Sequence, residues 1–337
     1  MEIKNNRKYI INKTQKIVSY NQDCAYIKSF NKTYSLKGKY VSVLLNDLVN
    51  EFKIPVEINL AIDNLSARYS IISIQNMIDF LIQNKFLVEE YEISEDGKKG
   101  ELINVINMLS NSGKKPEEII ETLSNCKVGI IASDSIVDDI INPIVESGLL
   151  KNLFIANIDN DKYNTKFSDN DNFNINLINY NYNRSEMIKG VIENSNFIIV
   201  ALDRYNDLIL KNVNDECIKN NVDWIKTIID GGFGEIGPIV RPGKTPCYEC
   251  YKSRTINNLD DENLIIFKDV LEDESKFNYG YLFPSNKVSA SLVLLEAMKA
   301  MLEVSCTLEG KILLVNYFTL DFSIHNIVKV HNCPSCS

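Results

Sequence analysis

No run of eighteen apolar residues occurs in this chain of 337, so it offers no segment able to cross a bilayer as a helix. Its start, Met1-Glu2-Ile3-Lys4-Asn5-Asn6, lacks the apolar stretch of a secretory signal. Basic residues are outnumbered, 36 Lys and Arg against 45 Asp and Glu, and the deficit is uneven. Residues 1–90 hold 12 basic and 9 acidic side chains, leaving 24 against 36 for the rest. An acidic bulk disfavours extended contact with a polyanion, so no nucleic-acid partner is expected. The slightly basic front end is suited to receive an acidic peptide. Hydrophobic residues at 45% and charged ones at 24% describe an ordinary globular chain, long enough for two domains. These features predict a cytoplasmic protein with no membrane partner.

Cysteine departs from this plain composition. Four of the eight cysteines fall in two hooks, Cys247-Tyr248-Glu249-Cys250 and Cys333-Pro334-Ser335-Cys336. Two C-x-x-C units bring four thiolates, the number that closes a tetrahedral structural zinc site, with Cys247, Cys250, Cys333 and Cys336 as ligands. Pro246 and Pro334 stiffen the turns. The 82 residues between the hooks mean that a metal would staple distant segments together. A redox dithiol and a pair of disulfides are the competing readings, and neither hook is expected to open an amphipathic helix, as a thioredoxin-like dithiol would. Cys24, Cys126 and Cys217 lie on apolar segments and read as small buried hydrophobes. Cys306 follows a long helix and reads as core or surface. Only His325 and His331 supply imidazole, and His331, two residues before the second hook, is a candidate to support a ligand cysteine.

The front end reads as strands followed by helices. Lys16–Tyr20, Cys24–Ser29 and Lys32–Leu36 form a small meander, with Asn21-Gln22 and Asn31 at the turns. Tyr40, Val43, Leu44, Leu48 and Phe52 recur at helical spacing up to Pro55. Glu57–Leu65 is a second helix, and Ile71, Ile74, Ile78, Leu81 and Ile82 mark a third, capped by Ser70 or Ser73. Phe86–Glu90 is a closing strand. The arrangement is winged-helix-like. Such a domain reading DNA would carry basic side chains on its third helix, yet Ser70–Asn84 holds no Lys or Arg. An apolar third helix beside a sheet edge suits a peptide added as a strand. Equally, Ile74, Met77, Ile78 and Leu81 can simply fill the domain core.

Residues 91–125 predict a connector of two helices, Glu101–Leu109 and Pro116–Ser124. From 126 to 337 the pattern is strand (Val128–Ala132), helix (Ile136–Val145), strand (Leu153–Ile158) and a terminal acid, Asp159. That is the opening of a doubly wound, Rossmann-like α/β sheet. Asn174–Ile178, Phe197–Leu202, Trp224–Ile229 and Ile236–Val240 are further strands, Asp207–Asn220 and Lys287–Val304 helices, and 311–330 a last hairpin. A nucleotide-binding sheet needs glycines after its first strand, so that backbone N–H groups approach phosphate. The turn here reads Ala132-Ser133-Asp134-Ser135. Asp134 puts a negative charge where phosphate would sit. Gly231, Gly232, Gly234 and Gly237 come too late in the topology and fit a bulge or tight hairpin better.

Asn196–Leu202 with Asp203, Asp215-Glu216-Cys217, Gly231–Gly237 and the two hooks together make the second half resemble the ubiquitin-activating-like (ThiF/MoeB-type) proteins. With its front end, nearly the whole chain is similar to the cyclodehydratase partner proteins of azole-modified peptide (thiazole/oxazole-modified microcin) biosynthesis. The resemblance implies a leader-peptide recognition domain at 1–90, a connector at 91–125 and a ThiF-like zinc domain at 126–337. It implies leader binding along the third strand (Thr33, Tyr34, Leu36) and third helix (Ile74, Met77, Leu81). It implies delivery of the precursor to a YcaO-type ATP-dependent cyclodehydratase, with no catalytic residue in this chain, and leaves a homodimer open. Departures count too. Adenylating relatives grip ATP with a glycine loop that is missing here, and Asp203, at the carboxylate position that holds magnesium, could cap the next helix instead. Relatives that pass a thioester use a cysteine after the first hook, and none occurs between Cys250 and Cys306. The alternatives are a ThiF-like adenylating enzyme acting on a peptide, and a winged-helix DNA-binding regulator.

Overall fold

A computed structural model describes residues 7–12, 16–28, 32–90, 106, 109, 114–159, 163, 173–178, 183–260 and 283–336. The chain divides into two compact units, Met1–Ile119 and Ile120–Ser337.

In the first unit, β2 (Lys16–Asn21), β3 (Cys24–Lys28) and β4 (Thr33–Lys37) form an antiparallel meander with β4 at an edge. Three helices follow: α1 (Val41–Glu51), α2 (Ile58–Leu65) and α3 (Ile71–Gln83), the last capped by Ser70, whose hydroxyl accepts from the Ser73 N–H. A second small sheet was not legible in the sequence. There β1 (Lys8–Ile11) pairs with both β5 (Val56–Glu57) and β6 (Leu87–Glu89), so the closing strand is anchored rather than a free wing. Strands of two to four residues carry too little alternation to announce themselves. Ala25 and Ile27 of β3 join Leu45, Leu48, Ile74, Ile78 and Leu81 in one buried core.

The connector helix Glu101–Leu109 lies mostly outside the described residues, and α4 (Pro116–Asn125) follows it. The second unit is built on one eight-stranded sheet in the order β14-β13-β12-β11-β10-β7-β8-β9. Five strands are parallel: β7 (Lys127–Ala132), β8 (Asn152–Asn157), β9 (Asn174–Leu177), β10 (Phe197–Leu202) and β11 (Asp223–Asp230). The antiparallel extension is β12 (Phe233–Val240), β13 (Lys311–Asn316) and β14 (Asp321–Asn326). Helices α5 (Val137–Ser147) and α9 (Phe283–Met301) pack together, as do α6 (Arg184–Glu193), α7 (Asp207–Asn220) and α8 (Tyr248–Asn257). Such cover explains the unbroken apolar sequence of β10, all six residues of which are buried. Among the described residues no helix is long and apolar enough to cross a membrane.

Two elements correct the sequence reading. Helix α6 went unseen among asparagines, although Asn183 caps it and Met187, Ile188, Val191 and Ile192 share its buried face. Neither hook was expected to open an amphipathic helix, yet the first does open a helix, α8, with Cys247 as its N-cap and Cys250 in its first turn. It is so polar, with Lys252, Ser253 and Arg254 in succession, that ten residues show no clear apolar period.

Candidate functional site

Helix α8 and the second hook converge. The Sγ atoms of Cys247, Cys250, Cys333 and Cys336 all lie within 4.8 Å of one another. Cys247 is 3.9 Å from Cys250 and 3.6 Å from Cys333, and Cys250 is 3.6 Å from Cys336. A tetrahedron with metal–sulfur bonds of ~2.3 Å has edges of about 3.8 Å, close to these three separations. A disulfide needs ~2.05 Å, and none of these pairs approaches it. Four sulfurs meeting at one point favour a metal site over a redox dithiol, although one hook does sit at a helix start.

The surroundings hold the quartet in place. Cys247, Cys250 and Cys333 are buried, in the same core as Val213, Cys217 and Trp224. The Val330 N–H donates to Cys250 Sγ at 3.3 Å, a role that sequence reasoning gave to His331, which is exposed. From α7, Asn214 accepts from the Tyr248 N–H at 2.9 Å and Asp215 from the Ser335 hydroxyl at 3.2 Å, one partner for each hook. Burial pushes the Cys247 thiol well above its ordinary value. At Cys333 the same burial is outweighed by the Ser335 and Cys336 backbone and by neighbouring thiols, which hold it below.

Behind the quartet lies a polar cluster that the sequence reading missed. Lys226, fully buried on β11, donates to Glu235 Oε2 of β12 at 2.6 Å, and the Tyr251 hydroxyl of α8 donates to Oε1 at 2.7 Å. From the same helix, Tyr248 and Lys252 donate to Asp207 at 2.7 and 2.6 Å. A lysine inside Trp224-Ile225-Lys226-Thr227-Ile228 was the available signal, since an unpaired charge in a buried strand is prohibitively costly.

The second candidate is the crevice where strand order reverses, at the carboxyl ends of β7 and β10. Open α/β sheets bind ligands there. In this chain the polar side chains of the crevice bond to one another. Ser135 donates to Asp203 Oδ2 at 2.8 Å, and the Asp203 N–H reaches Ser133 Oγ at 3.3 Å. Asp134 accepts from Asn157 at 2.7 Å, and Asp159 accepts from the Asp134 N–H at 3.2 Å and from Arg204 at 3.0 Å. The first turn of α5, where a phosphate would meet the helix, carries Asp138 and Asp139. Asp203 Oδ1 and Asn286 Oδ1 are buried without a hydrogen-bond partner, and both offer lone pairs, which attract a cation or a donor and repel phosphate oxygens. Asp203 does not cap α7, because Asn206 does. A Cβ on Gly129 would collide with Ile198 and Val191, so that glycine serves strand–helix packing. Gly231 and Gly232 form the two-residue turn between β11 and β12, and side chains on Gly232 and Gly234 would overlap Phe318 and Tyr317. These glycines serve the hairpin and its packing.

The peptide-contact residues divide. Thr33, Tyr34 and Leu36 lie on the edge strand β4, with Thr33 exposed and the other two half-buried. Ile74 and Leu81 are fully buried and Met77 is 8% exposed. They form the buried stripe of an amphipathic helix and pack the unit from inside. The α3 side chain that meets β4 is Phe80, its ring 5.8 Å from that of Tyr34.

The ThiF family profile matches residues 168–336. No curated protein sequence matches the chain significantly. Among solved structures, E. coli MccB with ATP superposes at a TM-score of 0.72 and 18% identity over 98% of this chain and 99% of that one. The microcin C7 biosynthetic enzyme MccB in complex with N-formylated MccA gives 0.73 and 18%, over 98% and 100%. The heterocyclase TruD gives 0.69 and 16% over 98% of this chain, which spans only 43% of TruD. At such identities the likeness carries the fold alone.

Proposed function

Because the chain belongs to the ThiF family, we propose that it is a peptide-capturing subunit that has lost nucleotide chemistry and serves a separate modifying enzyme. It holds the leader of a ribosomally made precursor as an added strand on β4, in the first unit's peptide-recognition domain. It presents the core peptide to a YcaO-type cyclodehydratase, which spends ATP to form azolines. Tethering the leader raises the local concentration of the core near that enzyme. The solved relatives support the reading: MccB is described with the peptide MccA, and TruD, a heterocyclase, has additional chain beyond the part that matches here. That extra portion corresponds, in this proposal, to a partner supplied as a separate polypeptide. The cysteine quartet takes structural zinc, the common ion for four thiolates in a closed tetrahedral site.

The observation that carries the reading is the crevice. Asp134, Asp138, Asp139, Asp159 and Asp203 gather where a triphosphate would need donors, against Arg204 and Lys287. The second reading, a ThiF-like enzyme that adenylates a peptide, is favoured by one finding, the capture of MccB with ATP. Calorimetric titration with magnesium–ATP decides between them. No saturable binding is expected; micromolar affinity establishes the enzyme.

A further inference from the structure

Between the exit of β4 and the start of α3, the first unit holds an open cavity of about 370 Å3, walled by Lys39, Tyr40, Arg68, Tyr69, Ser70 and Ser73. Lys39 Nζ lies 5.5 Å from the centre of the Tyr40 ring and has no acidic partner among the described residues. Arg68 lies 5.8 Å from the Tyr69 ring and is 60% exposed. Its ion pair with Asp47 at 2.9 Å uses only part of a five-donor fork. The nearest carboxylates are already engaged, Asp47 by Arg68 and the Tyr69 hydroxyl and Asp23 by the Tyr40 N–H. No acidic residue occupies the first turn of α3, so the positive end of that helix adds to the field of the two cations. The cavity thus combines positive charge with two aromatic faces.

Its position ties it to the edge strand. Lys37 ends β4, and Gly38, Lys39 and Tyr40 lead directly from it to the cavity wall. A peptide paired along β4 and continued past Lys37 would reach the same place after about three residues, at ~3.3 Å per residue. We infer that this cavity is an acidic-residue subsite. A carboxylate of the captured peptide, placed about three residues outside the strand-paired segment, ion-pairs with Lys39 and Arg68 while its methylene groups rest on Tyr40 and Tyr69. The inference rests on the peptide-capture reading and adds a required chemistry and a spacing to it. It also reports strand polarity: the acid precedes the paired segment if the peptide runs antiparallel to β4, and follows it if parallel.

The test selects a phage-displayed library of random dodecapeptides on the whole chain. Binders enriched in Asp or Glu at one position, about three residues from an apolar stretch, are expected. Lys39→Glu should weaken those binders roughly tenfold, and peptides with Lys at the acidic position should regain affinity for that variant. If charge reversal disturbs folding, Lys39→Gln and Arg68→Gln, each expected to weaken binding about threefold, replace it. Binders with no acidic position, or binders held equally by both chains, overturn the subsite and leave peptide capture standing. A failure to select any binder overturns capture itself, and the subsite with it.

Discussion

The cysteine quartet and the switch-point crevice lie in one unit of the protein and satisfy their polar groups in different ways. At the quartet, four sulfurs, three of them on buried cysteines, face one another and the protein supplies only a few backbone and side-chain donors, an arrangement that could hold a metal ion. At the crevice, the carboxylates are paired with protein donors, through Ser135, Asn157, Arg204 and backbone N–H groups. A working ligand site leaves its polar groups short of partners. The crevice satisfies most of its own from within, and the two oxygens left there without a hydrogen bond, Asp203 Oδ1 and Asn286 Oδ1, would attract a cation or a donor. The difference can be read without a bound ligand at either place.

The largest effect expected of breaking this contrast is at the quartet. Cys250→Ser should lower metal content, measured by mass spectrometry, from one equivalent per chain toward zero. It should cost on the order of 10 kcal/mol, enough to unfold the second unit in circular dichroism. A metal-free variant of unchanged stability would remove the clasp from the account. The next effect lies just behind it. Lys226→Ala leaves Glu235 facing Tyr251 without its cation, at a cost of about 3–5 kcal/mol in urea unfolding. Burial alone would raise Glu235, but Lys226 and Tyr251 outweigh it and hold the carboxyl below its ordinary value. The pair therefore contributes fully above the unfolded pKa of ~4.3 and is lost as pH falls through the lower folded value. Glu235→Gln should flatten that acid limb, and an unchanged limb would separate the pair from stability.

Two smaller tests sharpen the comparison from outside. Leu81→Ala should destabilise the first unit by about 2–5 kcal/mol without touching metal content, as expected for core rather than groove. Loss of peptide binding at full stability would instead return Leu81 to the surface role. The last test predicts no effect: magnesium–ATP at ~1 mM, equivalent to about −4 kcal/mol, should not raise the melting temperature. A rise of several degrees would mean that the crevice still opens.

The parallel strands were legible because Phe197–Leu202 and Val128–Ala132 are continuous apolar runs bounded by acids and turns. The ligand set was legible because C-x-x-C spacing is a statement about geometry and needs no fold. Helix α8 was hidden because its partners are remote: Asn214 and Asp207, which fix Tyr248, lie over thirty residues away. The role of the third helix was not legible for a related reason. Ile74 and Leu81 are apolar whether a helix faces a core or a peptide, and only burial distinguishes the two. Asp203 looked like a cap because Asn206, three residues on, performs that task with the same chemistry.

With a metal in place, the two hooks join positions 86 residues apart into a ring that contains α9, β13 and β14. Protease damage then has an unusual outcome. One cut inside the ring severs the polypeptide but not the particle, since both fragments stay fastened through sulfur–metal bonds. Such a nicked molecule would run as one species in native gels and as two once a chelator had removed the ion, so scission and disassembly become separate events.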